Sequence, residues 1–235
     1  MEIRETRVIS VRQEIDYFSV QVENGEPQAG RLLLLATGRC DEIPDKTGFR
    51  RFYGRGVYHC PFCDGWEHRN GALVCYGRGR GALDLAVELR TWSADVHLCT
   101  DGPVEWSDEE LALLAEAEVR HEDHQIASLE GSERLQAISF ADQTRLRCDA
   151  LFFYSGCSQR STLPERLGCT FDESGAVRCT GFRAIGVTGL FVAGNVQGGL
   201  HMAISAAAEG AHAAIDINDE LLKRGFLAVA PILQA

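Results

Sequence analysis

Two cysteines separated by two residues form the part of this sequence best suited to chemistry. Cys60 and Cys63 can close a small disulfide if one turn of helix holds them, and amides at a helix start stabilise a thiolate. Pro61 suits the first helical position, because its missing N–H would be unpaired there anyway. We therefore predict a redox-active pair, with Asp64 placed to carry a proton and His59 placed to favour the thiolate.

The same pair has two other interpretations, a zinc half-site and an inert pair. Zinc would need a second pair of cysteine or histidine ligands. Cys169 and Cys179 are too widely spaced for that, and the histidines show no ligand spacing. We predict no metal site. The other seven cysteines fall mostly on predicted strands or strand ends and are interpreted as buried small hydrophobes: Cys40, Cys75, Cys99, Cys148, Cys157, Cys169 and Cys179.

A glycine loop follows a predicted strand at residues 72–76 and begins an amphipathic helix. Gly77, Gly79 and Ala82 have the spacing that lets the backbone approach a pyrophosphate at a helix N-terminus. Arg78 and Arg80 are candidates for further phosphate contacts. An ordinary tight turn between strand and helix is the alternative interpretation.

The residue that binds the ribose of a dinucleotide is expected about 20 residues beyond the glycines. Asp or Glu there binds a 2′-hydroxyl, and Arg accommodates a 2′-phosphate. The next predicted strand ends at Thr100 and Asp101, so Asp101 is the candidate, although it lies about one residue late. Because no Arg occupies this position, the choice between NADH and NADPH stays open.

A second loop suited to a cofactor lies near the end of the chain. Gly194 and Asn195 follow a predicted strand at residues 189–193, and a helix is predicted from about His201 to Lys223. Amides at that helix start would stabilise negative charge on a ligand. Ordinary strand–loop–helix packing is the alternative here too.

The elements around these residues predict a layered α/β architecture. Residues 32–36 form a continuous apolar run that is typical of a strand buried on both faces. The polar stretch 39–56 is the best candidate for a domain connection. Ser107 begins a capping box for a helix over residues 108–118, and residues 150–154 form another buried strand.

Composition limits the classes of function. The chain has 235 residues, a net charge of −11 and nine cysteines, a length that suits one large or two small domains. The negative charge disfavours nucleic-acid binding, and no apolar run is long enough to span a membrane. An odd cysteine count without a secretory signal predicts a cytoplasmic protein rather than a disulfide framework.

Six motifs in order resemble the thioredoxin reductase family of flavin-dependent disulfide oxidoreductases. The cysteine motif is most similar to the branch that includes dithiol oxidases of natural-product pathways. The motifs, which cover nearly the whole chain, are Ala36-Thr37-Gly38, Gly54-Arg55-Gly56-Val57, Cys60-Pro61-Phe62-Cys63-Asp64-Gly65-Trp66-Glu67, the loop from Gly77 to Ala82, Gly189-Leu190-Phe191-Val192-Ala193-Gly194 and Ala206-Ala207-Ala208-Glu209-Gly210-Ala211.

The resemblance implies two Rossmann-like dinucleotide-binding domains. A nicotinamide domain at residues 43–157, which carries the cysteine pair, would be inserted into a discontinuous FAD domain at residues 1–42 and 158–225, with 226–235 as a C-terminal tail. The glycine loop that binds the FAD pyrophosphate has no counterpart before residue 36, so the FAD domain is expected to be truncated at its N-terminus. Thr100-Asp101-Gly102 stands where the family carries a basic cluster for a 2′-phosphate.

The resemblance also implies roles for individual residues. Cys63 would face the flavin, Cys60 would attack substrate and Asp64 would act as acid and base. Gly77, Gly79 and Ala82 would hold the pyrophosphate of the nicotinamide cofactor. The residues expected to contact FAD are Thr37, Gly38, Gly194, Asn195, His201, Met202 and Ala203.

The leading hypothesis is a flavin-dependent thiol–disulfide oxidoreductase. Electrons would pass between NAD(P)H, FAD, the Cys60/Cys63 pair and a small redox protein or a small-molecule dithiol or disulfide. The resemblance further suggests a homodimer. Two alternatives remain: a truncated, non-catalytic remnant that binds only a dinucleotide or a partner, and a dithiol oxidase that passes electrons to oxygen.

Overall fold

The computed structural model describes residues 2–154 and 156–225, so the predicted tail at 226–235 lies outside the described residues. The chain divides into two compact units, one of residues 1–40 and 157–235 and one of residues 41–156. The sequence-based boundaries after residues 42 and 157 lie one or two residues further along the chain.

Seventeen strands and six helices are described. The strands are β1 Val8–Gln13, β2 Phe18–Val22, β3 Gln28–Gly30, β4 Leu33–Leu35, β5 Arg39–Asp41, β6 Val57–Tyr58, β7 Leu73–Tyr76, β8 Val96–Cys99, β9 Arg120–Glu122, β10 Ile126–Glu130, β11 Ala137–Phe140, β12 Arg145–Arg147, β13 Ala150–Phe153, β14 Cys157–Gln159, β15 Cys179–Thr180, β16 Arg183–Ala184 and β17 Leu190–Val192. The helices are α1 Phe49–Phe52, α2 Pro61–Asp64, α3 Gly79–Leu89, α4 Asp108–Glu116, α5 Leu163–Arg166 and α6 Ala203–Lys223.

The unit at residues 41–156 is built on a five-stranded parallel sheet. Its strand order is β6-β13-β7-β8-β9, and each neighbouring pair is parallel. Leu73 and Phe152 belong to one apolar cluster and Val74 and Leu151 to another, so this sheet is buried on both faces. Continuous apolar strands are typical of such sheets, because elements cover both sides.

Different elements cover the two faces. Helix α3 contributes Leu83 and Leu89, both fully buried, to one cluster. On the other face, Phe49 and Phe52 of α1 pack with Ile138 of the antiparallel sheet β10-β11-β12. The stretch interpreted as a domain connection therefore contains a one-turn helix that supplies two large core side chains.

The unit at residues 1–40 and 157–235 contains two further sheets. Strands β1, β2 and β3 form an antiparallel sheet, and a second sheet has the order β15-β16-β17-β4. In the second sheet β17 pairs with β4 in parallel, so both strands end at the same edge. The 21-residue helix α6 begins at Ala203, two residues after the predicted start.

These sheets and helices confirm the α/β class predicted from the sequence. The capping box is also present, because Ser107 accepts a hydrogen bond from the Glu110 amide while the Glu110 side chain accepts one from the Ser107 amide. Helix α4 ends at Glu116, two residues before the predicted end. Among the described helices, none is both long and apolar enough to cross a bilayer.

Leu98 offers a test of the parallel-sheet core. It is fully buried in β8, whereas Leu111 on α4 is 50% exposed. Leu98→Ala should lower the free energy of unfolding by about 2–5 kcal/mol through lost burial and a residual cavity, and Leu111→Ala should have little effect. Urea unfolding followed by tryptophan fluorescence measures this unit, because Trp66, Trp92 and Trp106 all lie in it. Equal losses in the two variants would contradict the assigned packing.

Candidate functional site

The two cysteines of the motif lie side by side at the start of a one-turn helix. Cys60 is the N-cap of α2 and Pro61 occupies the first helical position. The Cys63 amide donates a hydrogen bond to the Cys60 carbonyl at 3.2 Å. The Cys63 thiol donates to the Cys60 sulfur, with the two Sγ atoms 2.8 Å apart. The two sulfurs are therefore adjacent, as a pair that forms a disulfide must be.

Gly65 and Trp92 hold this turn in place. The Gly65 amide donates to the Pro61 carbonyl at 2.7 Å. A Cβ atom at Gly65 would lie 2.5 Å from that carbonyl oxygen and 2.7 Å from Nε1 of Trp92. Only glycine leaves room for the indole ring, so the residue after Asp64 is fixed by packing.

The environment of Cys63 favours its protonated form. Its hydrogen bond to Cys60, followed by burial, raises the pKa of the Cys63 thiol to about 11. Burial likewise raises the pKa of the Asp64 carboxyl above its ordinary value. At neutral pH Cys63 therefore keeps its proton and is the hydrogen-bond donor of the pair, and the Asp64 carboxylate accepts a proton more readily than an ordinary aspartate.

His59 is oriented by residues that the sequence analysis did not identify. The Tyr53 hydroxyl donates to Asp41 Oδ2 at 2.7 Å and lies 3.0 Å from His59 Nδ1. Because the hydroxyl proton is directed at Asp41, Nδ1 of His59 is assigned as the donor to Tyr53. His59 is thus held through Nδ1 by Tyr53 and Asp41, which leaves Nε2 as the proton-accepting atom.

Three of the four predicted catalytic residues, His59, Cys63 and Asp64, line one pocket of about 390 Å³. His68 also lines it, and its Nε2 lies 3.1 Å from the Tyr58 hydroxyl. Burial lowers the pKa of His68, which favours the neutral imidazole. The lining residues are Tyr53, Gly54, Val57, Tyr58, His59, Cys63, Asp64, Glu67, His68 and Arg134.

Apolar side chains stand exposed beside the cysteines. Phe62 is 67% exposed and Trp66 is 61% exposed, and the Arg69 guanidinium lies 4.1 Å from the centre of a Trp66 ring. Large exposed aromatic side chains next to a reactive pair are suited to contact a substrate.

The remaining cysteines differ in exposure. Cys75, Cys99, Cys148 and Cys169 are buried as expected. Contrary to the interpretation as buried hydrophobes, Cys40 is exposed and Cys157 and Cys179 are partly exposed. Burial raises the pKa of the four buried thiols, which makes them poor nucleophiles. Within residues 2–154 and 156–225, no group of three or more His, Cys, Asp or Glu side chains is arranged to hold a metal ion.

The glycine loop has the backbone form expected of a pyrophosphate cradle. Gly77 and Gly79 have φ values of +156° and +71°, and a Cβ on Gly77 would lie 2.9 Å from that of Ala82. Gly81 packs against the Tyr154 ring, where a Cβ would meet Cζ at 2.2 Å. Helix α3 begins at Gly79 with no side chain capping its amides, so these amides fit a phosphate.

Asp101 is directed away from this loop by other contacts. Its Oδ1 accepts the Ile126 amide at 2.8 Å, and its Oδ2 lies 2.6 Å from the Lys46 ammonium. The Asp101 side chain is only 13% exposed, and its backbone adopts a φ of +53°. Both carboxylate oxygens are thus engaged within the protein.

Most residues predicted to contact FAD line a second pocket, of about 340 Å³, in the unit of residues 1–40 and 157–235. Thr37 lines a different pocket, with Arg160 and Arg166. The lining of the second pocket is mainly small: Leu34, Ala36, Gly38, Ala193, Gly194, Asn195, His201, Met202, Ala203, Ala206 and Gly210.

Glu209 of α6 organises one wall of this second pocket. Its Oε2 accepts the Gly194 amide at 2.7 Å and the Gln197 side chain at 2.9 Å. Gly38 and Gly194 have positive φ values of +70° and +74°, and a Cβ on Gly38 would meet no atom within 4 Å. A wall of small residues with polar groups at its edge fits a flat ring system such as a flavin.

A family sequence model that matches most of the chain identifies the family to which it belongs. The sequence model of the family described as pyridine nucleotide-disulphide oxidoreductase matches residues 2–210. The chain belongs to this family, and the resemblance inferred from its motifs is confirmed.

Individual relatives point the same way. "Probable thioredoxin reductase" from Arthroderma benhamiae is 27% identical over 230 residues, which cover 83% of this chain and 56% of that protein. "Thioredoxin reductase tcpT" from Claviceps purpurea is 28% identical over 199 residues, which cover 80% of this chain and 61% of that protein. The chain thus spans less than two thirds of the length of these two relatives.

A solved structure extends the likeness to the fold. The oxidoreductase from Agrobacterium tumefaciens has a TM-score of 0.86 and 26% identity, with coverage of 93% of this chain and 74% of that one. The architecture is therefore that of the thioredoxin reductase-like members of the family.

The assignment of donor and acceptor within the cysteine pair can be tested by alkylation. In Cys60→Ala the hydrogen bond that contributes most to the high pKa of Cys63 is lost. The pKa should fall, and the thiolate fraction of Cys63 at pH 8 should rise about tenfold for each unit of the fall. Iodoacetamide labelling of the reduced protein, read by mass spectrometry at Cys63, measures the rate.

Cys40→Ala is the matched control, because Cys40 is exposed and lies outside the motif. It should leave the labelling rate of Cys63 unchanged. A Cys63 rate that is the same with and without Cys60 would rule out this hydrogen bond as the cause of the high pKa.

Proposed function

We propose that the chain acts as a flavin-dependent thiol–disulfide oxidoreductase in which Cys60 and Cys63 exchange with a dithiol or disulfide substrate. Electrons would pass between NAD(P)H, FAD, the cysteine pair and the substrate. The observation that carries the proposal is the 2.8 Å approach of the two sulfurs, with the Cys63 thiol donating, in a chain that matches the family over residues 2–210.

The exchange itself can be written with the protein's own residues. In the reducing direction the Cys60 thiolate attacks a substrate disulfide, which forms a mixed disulfide and releases one substrate sulfur as a thiolate. The Cys63 thiolate then attacks the Cys60 sulfur, releases the second substrate sulfur and leaves a Cys60–Cys63 disulfide. The two substrate thiolates take up two protons, and the reverse sequence oxidises a dithiol.

Asp64 and His59 are the proposed proton carriers. Cys63 must lose its proton before it attacks, and its raised pKa makes a nearby base necessary. Asp64, whose own pKa is raised by burial, would take that proton. His59, held through Nδ1 by Tyr53, would exchange protons through Nε2 with a substrate sulfur.

The fit of both cofactors supports the proposal. The residues that would hold FAD are Gly38, Asn195, His201, Met202 and Ala203, with Glu209 fixing the Gly194 loop. When bound, a flavin supplies a two-electron acceptor and donor for the dithiol pair. Gly77, Gly79 and the first amides of α3 would hold the pyrophosphate of a nicotinamide cofactor.

The substrate proposal is a small redox protein or a small-molecule dithiol or disulfide. The exposed rings of Phe62 and Trp66 favour a substrate with an apolar surface around its sulfurs. The proposed location is cytoplasmic, because an odd number of scattered cysteines is not typical of an extracellular disulfide framework. A homodimer completes the proposal, because it is typical of the family that the motifs resemble.

The function is tested by flavin uptake and by dithiol-dependent flavin reduction. The purified chain should take up added FAD and show its absorption spectrum, and a dithiol added without oxygen should bleach it. Cys63→Ser should lower the rate of bleaching at least about 100-fold, because the pair cannot then form a disulfide. Asp64→Asn should lower it by about 10²–10⁴ through the lost proton carrier.

Cys40→Ser is the control and should bleach at the normal rate. A colourless protein that takes up no FAD would favour the non-catalytic alternative, and normal bleaching in Cys63→Ser would exclude the proposed exchange. Oxygen consumption with a dithiol, measured with and without NADPH, separates a dithiol oxidase from a disulfide reductase.

A further inference from the structure

We propose that Arg78, rather than Asp101, meets the ribose of a dinucleotide at the glycine loop and selects a 2′-phosphate, so that the chain binds NADPH in preference to NADH. The inference rests on the proposed function only in that the loop is taken to bind a nicotinamide cofactor. It concerns which of the two cofactors the chain takes and which side chain decides this.

The position of the Arg78 guanidinium carries the inference. Arg78 lies in the loop between Gly77 and Gly79, but its side chain extends to the end of the neighbouring strand β8. Its Nε donates to the Thr100 carbonyl at 2.8 Å and its Nη2 to the Asp101 carbonyl at 2.5 Å. The end of this second strand is where a dinucleotide site reads the ribose, with an Arg there for a 2′-phosphate.

The loop after β8 is shaped to receive this side chain. A Cβ on Gly102 would lie 2.7 Å from Nη2 of Arg78, so a larger residue would displace the guanidinium. The positive φ of Asp101 belongs to the turn that presents the Thr100 and Asp101 carbonyls to Arg78. The segment Thr100-Asp101-Gly102 thus forms the binding surface for the Arg78 side chain, which comes from the glycine loop.

Arg78 retains the capacity to bind an anion. A guanidinium has five N–H groups, and the two carbonyls use only Nε and Nη2. The Nη1 group is not used in these bonds, and Arg78 is an exposed residue. The two carbonyls therefore fix the direction of the guanidinium and leave one edge for phosphate oxygens.

The acidic residue at this position does not oppose a phosphate. Asp101 Oδ2 is paired with Lys46 at 2.6 Å, and Oδ1 accepts the Ile126 amide. Its charge is therefore largely neutralised, and neither oxygen is directed at a ribose hydroxyl. Asp101, which the spacing of about 20 residues selects, is thus engaged elsewhere. The side chain at the position expected to contact the ribose is the cationic Arg78.

Binding measurements on the full chain test the inference directly. Isothermal titration calorimetry with NADP⁺, NAD⁺, adenosine 2′,5′-bisphosphate and AMP compares ligands that differ in the 2′-phosphate. The wild-type chain should bind NADP⁺ and the bisphosphate at least about tenfold more tightly than NAD⁺ and AMP, as expected for charge-assisted hydrogen bonds. Arg78→Ala should remove this preference and leave NAD⁺ affinity within about twofold.

Arg80→Ala is the matched control in the same loop, because Arg80 pairs with Asp84 one turn along α3 at 2.8 Å. It should keep the preference for the 2′-phosphate. Arg78→Lys keeps a cation and should retain part of the preference. Asp101→Asn should leave NAD⁺ affinity unchanged, and because NAD⁺ binding is read in every variant, it also reports whether the loop stays folded.

Any one of five results would overturn the inference: equal wild-type affinity for NADP⁺ and NAD⁺, an unchanged preference for NADP⁺ in Arg78→Ala, tighter binding of both ligands in Arg78→Ala, binding of neither ligand, or a selective loss of NAD⁺ affinity in Asp101→Asn. Tighter binding would mean that Arg78 blocks the loop. A selective loss of NAD⁺ affinity in Asp101→Asn would mean that Asp101, rather than Arg78, contacts the ribose. Flavin bleaching by a dithiol needs no dinucleotide, so each of these failures is distinguishable from a failure of the proposed function.

Discussion

Parallel pairing of short, fully apolar strands is the constraint on which the unit of residues 41–156 depends. Because β6, β13, β7 and β8 run in the same direction, the residues that follow them emerge at one edge of the sheet. The cysteine motif follows β6, the glycine loop follows β7, and the segment Thr100-Asp101-Gly102, which binds the Arg78 side chain, follows β8. All three segments therefore lie at the carboxyl edge, where open α/β sheets place their ligand sites.

Local packing then decides what the cysteine motif can do. A one-turn helix such as α2 is too short to hold itself together, since helix formation needs several turns to repay its nucleation. The turn is held instead by the Gly65 amide on the Pro61 carbonyl and by Trp92 packed against Gly65. The thiol pair thus depends on Trp92, which lies three residues beyond the end of α3 in a different segment of the chain.

The sequence predicted what is encoded locally and missed what depends on distant partners. The capping box at Ser107 and the buried strand at 150–154 can be recognised because their signals lie within a few residues. The one-turn helix at Phe49–Phe52 was missed because two buried phenylalanines sit in a polar stretch without periodicity. Tyr53 and Asp41 hold His59 through hydrogen bonds between residues that are 6 and 12 positions apart. No sequence-spacing rule describes such contacts.

Asp101 shows the same limit from the other side, since the spacing rule selected a residue whose carboxylate oxygens are both engaged within the protein. The rule assumes that the residue after the strand points at the ligand, but the positive φ of Asp101 turns its carboxylate towards Lys46 and Ile126. Thr37, similarly, belongs to the correct motif but lines a different pocket from Gly38. Side-chain direction is set by backbone conformation, which a residue count does not contain.

A net charge of −11 does not prevent such a chain from binding an anionic cofactor. At physiological salt, exposed charges more than about 8 Å apart are largely screened, so affinity is set by the groups within the site. Around the glycine loop these are the uncapped amides of α3, the Arg78 guanidinium and an Asp101 carboxylate already paired with Lys46. The local balance is therefore positive, and the overall charge acts mainly on the approach of charged partners from a distance.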